Sequence, residues 1–141
     1  MMAPMLSLRQ KCAAALATAL AFSTLDALWL GYVGIGFYTE AIGPIMAAPF
    51  RWSAAIAFYL VYLAGTLHFA VWPNAARGIR PTAIQGALLG FLAYATYDLT
   101  NLATLAAFTW KLALIDMAWG TFATATASAA GALAARLTLR A

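Results

Sequence analysis

Of the four acidic residues in this 141-residue chain, three (Asp26, Asp98 and Asp116) sit inside long apolar stretches. A carboxyl group near the centre of a membrane helix costs about 2.5–3.5 kcal/mol on insertion scales. Such a residue needs a partner or a use. Carboxyl groups brought together repel one another, so one keeps its proton beside an ionised neighbour, placing an acid next to a base. That pairing suits proton transfer, such as isomerisation or hydration of an apolar substrate. The run Tyr97-Asp98-Leu99-Thr100-Asn101 adds a phenol, a hydroxyl and an amide within about one turn. Asn101 lies three residues from Asp98 on one helix face, placed to orient it. Trp29, Tyr94, Tyr97 and Trp119 would edge the resulting pocket, and an aromatic wall can also hold a cation.

The elements carrying these residues follow from composition. The chain is 65% hydrophobic and 9% charged, with a mean hydropathy of +0.85. Soluble domains average about 45–50% apolar and about 25% charged residues. A water-soluble globule, a disordered chain, a disulfide scaffold and a coiled coil are all excluded, leaving an integral membrane protein. A hydrocarbon core about 30 Å thick takes roughly 20 apolar residues of helix. Four stretches qualify, at about 12–34, 52–72, 82–105 and 112–135. The predicted fold is all-α, a single four-span transmembrane domain over 1–141 folded as a four-helix bundle. Pro73, Asn74, Gly78 and Pro81 mark a turn after the second span. The connection around Ala106–Trp110 is so short that the last two helices must be antiparallel neighbours.

Charge sets the expected orientation. With a cytoplasmic N-terminus, the inner side carries Arg9, Lys11, Arg77, Arg80, Arg136 and Arg140, and the outer side only Arg51 and Lys111. The positive-inside rule therefore places both termini in the cytoplasm. Ala19-Leu20-Ala21 loosely resembles a signal cleavage site, but the apolar run continues to Val33, so the first helix is read as retained. Residues 35–50 are apolar but interrupted by Gly36, Gly43, Pro44 and Pro49, which forbid one continuous span. They read as an outer interfacial segment, or as a lid or re-entrant turn over a site.

At 1.5 Å per residue, Asp26 lies roughly 22 Å above Lys11 and Asp98 roughly 24 Å above Thr82, while Asp116 lies roughly 7 Å below Lys111. All three fall in the outer third of the membrane. The stripe through Asp116 continues as Gly120, Ala123, Ala127 and Gly131; that through Asp98 reads Gly86, Gly90, Tyr94, Asp98, Asn101. Small-residue stripes let membrane helices approach closely, so both aspartates should face inward. The first and last helices also share an echo, Asp26-x-x-Trp29 with Gly31 and Asp116-x-x-Trp119 with Gly120, a weak hint of an inverted repeat.

Other residues offer less. The basic residues are not interleaved with aromatics on one face, so nucleic acid is not an expected partner. One cysteine, Cys12, excludes an internal disulfide and a cysteine metal site. Three carboxylates and an amide would suit a hard cation, but no spacing demands one; neither metal nor cofactor is expected. His68 reads as interfacial, and Glu40 and Arg51 as headgroup-level residues. No phosphate-binding loop, zinc pattern or Ser–His–Asp set is present.

Taken in order, Asp26-x-x-Trp29-Leu30-Gly31, Tyr97-Asp98-x-Thr100-Asn101 and Asp116-x-x-Trp119-Gly120 resemble a bacterial family of small predicted membrane proteins catalogued as a domain of unknown function, the 2177 family. The resemblance extends over about residues 10–137. It implies a four-span protein of the bacterial inner membrane and brings no activity, substrate or cofactor with it.

Four readings of the carboxyl layer follow. The plainest is packing glue, protonated and hydrogen-bonded to Asn101, Tyr94 or Thr100, at about 0.6–2 kcal/mol per contact. Serine or asparagine would serve that purpose without an acid. The favoured reading is an outer-leaflet pocket that binds or processes a small amphipathic or lipid-like molecule. An accessory subunit of a larger membrane complex would instead dock through the alanines of 123–135 and the Ala-rich first helix. A proton- or cation-coupled transporter would need a homo-oligomer, and only Thr18 offers a polar step between Ala13 and Ala21.

Overall fold

The computed structural model describes residues 5–138, so Arg140 lies outside the described residues. Helix accounts for most of the described chain, and no strand occurs among the described residues. Helix α1 (Leu8–Leu28) opens on a capping box: the Ser7 hydroxyl accepts from the Gln10 backbone, and the Gln10 side chain accepts from the Ser7 N–H. This satisfies two donors that a helix start leaves free. The helix runs on through a π-turn, Trp29–Val33, and after Gly34 the chain forms α2 (Ile35–Ile42) and a 3₁₀ turn at Gly43–Ile45. Gly43 and Pro44 end α2, as expected from the broken segment.

Helix α3 (Trp52–Thr66) continues through a second π-turn, Leu67–Val71, into the single turn α4 (Trp72–Asn74). Gly78, at φ 133°, reverses the chain into α5 (Ile79–Thr104). Glycine is favoured there because a Cβ would strain that backbone. Residues 105–109 then lead into α6 (Trp110–Leu137), whose start is capped by the Thr109 hydroxyl accepting from the Leu112 N–H at 3.2 Å. Two continuous helices, Leu8–Val33 and Trp52–Asn74, are long and apolar enough to cross a membrane. Helices α5 and α6 are at least as long but richer in glycine and threonine, which lowers their hydropathy.

Helices α5 and α6 form the tightest pair, and α1 lies along the other side of α6. Their approach is set by residues without bulk. A Cβ on Gly86 would strike the Ser128 side chain, one on Gly90 the Gly120 carbonyl and the Thr124 side chain, and one on Gly131 the Thr18 hydroxyl. Ala123, Ala127, Ala132 and Ala135 are fully or almost fully buried. Four of the eight alanines between 123 and 135 are therefore spent on packing inside this chain. Three buried hydroxyls are tied back to their own helices, Thr66 to the Tyr62 carbonyl, Thr82 to Gly78 and Thr124 to Gly120, at 2.7–2.8 Å, while those of Thr18 and Ser128 have no partner among the described residues. Such i−4 bonds satisfy a hydroxyl without an outside partner.

Helix α3 is different. Its backbone comes close to its neighbours mainly at the π-turn Leu67–Val71, and large side chains (Tyr59, Tyr62 and Leu63) bridge the gap toward Phe22. Trp52, Leu60 and Val61 point outward, 68–74% exposed. At the end holding the α4–α5 turn, Lys11 approaches the Trp72 ring, Arg77 donates to Asn74, and the Arg136 guanidinium lies near Gly78. At the opposite end, Lys111 pairs with Glu40 at 3.2 Å, both exposed.

Replacing Gly86 with leucine must push α5 and α6 apart, and overpacking of this kind costs about 1–3 kcal/mol. Thermal unfolding in detergent, followed by circular dichroism, should show a lowered Tm for Gly86→Leu. Gly65→Leu should show little change, because open space surrounds Gly65.

Candidate functional site

The three intrahelical aspartates are almost completely removed from solvent, with Asp26 4%, Asp98 0% and Asp116 2% exposed. Asp98 follows Gly86 and Gly90 on the buried face of α5, and Asp116 precedes Gly120 on the buried face of α6. No lysine, arginine or histidine pairs with any of the three among the described residues; the ion pair there is Lys111–Glu40. A buried carboxyl without a cation depends on hydrogen-bond donors.

Tyrosines supply them. Tyr59 on α3 donates to the Asp26 Oδ2, and Tyr38 on α2 donates to the Asp116 Oδ1, each at 2.5 Å. Burial, reinforced by the neighbouring Asp116 carboxyl, pushes the Tyr38 phenol above its ordinary range, so it remains a donor. The Asp98 carboxyl adjoins that of Asp116, and neither of its oxygens has a donor among the described residues.

Two indoles tie the carboxyl layer together. Trp29 and Trp119 stack with centroids 4.6 Å apart and planes 6° from parallel. Trp29 donates to the Tyr38 hydroxyl at 3.4 Å, facing Asp116. Trp119 turns its buried N–H toward Asp26 without completing a hydrogen bond. Each Asp-x-x-Trp motif thus turns its indole N–H toward the other motif's aspartate. The glycines of the echo are not equivalent. A Cβ on Gly120 would collide with the Tyr94 ring, whereas Gly31 has nothing within 4 Å. The glycine that Trp29 needs is Gly34, where a Cβ would lie 2.5 Å from the indole.

A cleft of about 440 Å³ opens beside this layer, lined by Asp26, Leu30, Tyr38, Phe58, Tyr62, Ala93, Tyr94, Tyr97 and Asp116. It lies where α3 stands off from its neighbours, with Phe58 and Tyr97 half exposed at its rim. Below it, Tyr62 shares a 2.7 Å hydrogen bond with Thr124, and Phe22, Ala123 and Ala127 close the core. Among the residues expected at a site, Asp26, Asp116, Tyr94 and Tyr97 line the cleft. Asp98, Trp29 and Trp119 stand behind its wall. Asn101 was expected to orient the carboxyls, but it does not line the cleft, and its side chain has no hydrogen bond to an aspartate among the described residues. One turn beyond Asp98, α5 is already leaving the core, and tyrosines occupy the orienting role. Tyr38, Tyr59, Tyr62 and Phe58 are the residues that sequence reasoning missed. Tyr59 and Tyr62 fall three apart on one face of α3, a signal hidden by the helix being apolar on every side.

These features define a small all-helical membrane protein with a carboxyl–aromatic layer in its interior. The chain belongs to the family of predicted membrane proteins designated DUF2177, whose model matches residues 12–133. No curated protein and no solved structure matches the chain.

Stacked indoles couple their transitions, so the wild-type protein should show a far-ultraviolet exciton couplet. That couplet should vanish in Trp29→Phe and in Trp119→Phe. It should weaken in Gly34→Ala, whose methyl displaces the Trp29 ring, and persist in Gly31→Ala. Circular dichroism of the purified variants checks all four.

Proposed function

We propose that the protein binds or processes a small amphipathic or lipid-like molecule in the cleft beside Asp26 and Asp116. The observation that carries this reading is the cleft itself. Two buried carboxyls, each held by a tyrosine, meet an aromatic wall at an opening flanked by exposed apolar side chains. A ligand with one polar end and an apolar body matches that pattern. Glue alone would need no cavity beside the acids. Asp98 and Asp116, adjacent and without a cation, can share a proton, giving the cleft an acid and a base for proton transfer.

In the bilayer, the chain acts as a four-span bundle of the bacterial inner membrane with both termini cytoplasmic. The cleft then lies in the outer leaflet, and α2 serves as its cover. The gathering of Lys11, Arg77 and Arg136 at one end supports this orientation under the positive-inside rule. The packing of Phe37, Tyr38, Ala41 and Ile42 against Phe108, Leu112 and Ala113 at the other end supports α2 as the cover.

In a Cys12→Ala background, an impermeant maleimide added outside intact cells should label Lys111→Cys and spare Arg77→Cys. The reverse pattern contradicts the orientation. For the ligand, native mass spectrometry of protein taken from its own membrane should reveal a bound small molecule. That species should be lost from Ala93→Phe, which fills the cleft, and from Asp116→Asn, but kept by Glu40→Gln. Equal occupancy in all three variants, or none in the wild type, contradicts the pocket.

A further inference from the structure

We propose that the cleft selects an organic cation, an alkylammonium with an apolar body, whose charge sits between Asp26 and Asp116 against the rings of Tyr62 and Tyr94. The inference rests on the reading of the cleft as a ligand pocket and adds the class of ligand.

The donors and acceptors of the layer are out of balance. An ionised carboxylate offers about four acceptor positions. Asp26 and Asp116 each accept one tyrosine hydrogen bond, at 2.5 Å. Asp98, 0% exposed, accepts none among the described residues. The three carboxyls leave more acceptor positions open than the Trp119 N–H and the Tyr94 and Tyr97 hydroxyls beside them can fill, so a ligand that brings N–H groups or positive charge completes the layer best. An anionic or acceptor-only headgroup would add to the deficit.

The lining also favours a cation. Phe58, Tyr62, Tyr94 and Tyr97 bring aromatic rings to the same cavity as the two carboxyls. Tyr62 meets Tyr94 edge-on at 6.2 Å and lies near Phe58 at 5.4 Å. Aromatic faces attract a cation, most strongly where water is excluded. This setting suits a bulky cation better than a bare metal ion. Hard ions take six or more oxygens at close range, and no group of three acidic, histidine or cysteine side chains converges at metal-binding spacing among the described residues.

Size and access fit such a ligand. About 440 Å³ exceeds the need of an ammonium group alone and leaves room for a short hydrocarbon body. Leu30, Ala93 and Phe58 supply apolar lining for that body, and Leu30 and Phe58 are 42–43% exposed at the edge where α3 stands away. A ligand can therefore enter sideways with its charge leading and its tail trailing into the apolar surroundings.

The test is isothermal titration calorimetry of the full chain in nanodiscs of zwitterionic lipid, with empty discs as blanks. Three probes of equal length are compared below their micelle concentrations: octylammonium, octanol and octanoate. Octylammonium should bind at least tenfold more tightly than octanol, with octanoate weakest. The preference should disappear in Asp26→Asn/Asp116→Asn, whose retained Trp29–Trp119 couplet would report an intact fold. If octanol or octanoate binds as tightly as octylammonium, the charge assignment is overturned and the ligand pocket stands. If no probe binds the wild type above the empty discs, both fall.

Discussion

Three carboxyl groups buried in a helical interior without a basic partner among the described residues are the constraint on which the rest of this structure turns. Taking such groups out of water is tolerable only when donors are fixed around them. For Asp26 and Asp116 the donors come from elements distant in sequence, Tyr59 from α3 and Tyr38 from α2, while Asp98 lies beside Asp116 with no donor among the described residues. The carboxyls therefore act as anchor points that hold a short broken helix and a loosely packed long one against a tight core. Removing either phenol would free an element that has few other polar ties to that core.

The tight core and the open flank have different origins in the sequence. Between α5 and α6, and between α1 and α6, glycine and alanine let the backbones approach until side chains touch the opposite helix. Helix α3 carries bulky residues on every side, and its aromatic rings keep it at a distance. A cleft follows from setting one bulky helix beside three smooth ones. The stacked Trp29–Trp119 pair closes its rear wall, holding the faces of α1 and α6 in register with the acids.

Much of this arrangement can be read in the chain. The small-residue stripes through Gly86 and Gly90, and through Gly120, Ala123, Ala127 and Gly131, mark the contact faces, because a helix buries whichever side lacks bulk in its close contacts. Asp98 and Asp116 lie on those stripes, and their burial follows. The tyrosine donors are beyond such reading. Tyr38 reaches Asp116 only because α1 passes through a π-turn and α2 folds back over the start of α6, a path that depends on Gly34 accommodating the Trp29 ring. Tyr59 shares its inner face with Tyr62 and Thr66, a stripe masked by the apolar residues on every other side of the helix. Asn101 misleads for a related reason. Its spacing from Asp98 is right for a shared face, but that face leaves the core one turn after the aspartate. The Asp-x-x-Trp echo is likewise visible as letters, whereas the turn of each indole N–H toward the other copy's aspartate exists only in three dimensions.

An amide acceptor would anchor the Tyr38 and Tyr59 hydroxyls as a carboxyl does, so the acids themselves are kept for a ligand. The most direct test is thermal stability of the purified protein in detergent, comparing wild type with Asp26→Asn, Asp98→Asn and Asp116→Asn. Asparagine keeps an acceptor for the neighbouring phenol while removing the acid. Groups retained for function at the expense of stability should, when replaced, leave the fold unchanged or make it more stable, so the three variants should melt at or above the wild-type temperature. A clear loss of stability at all three positions would contradict the account and identify the aspartates as the cement of the fold.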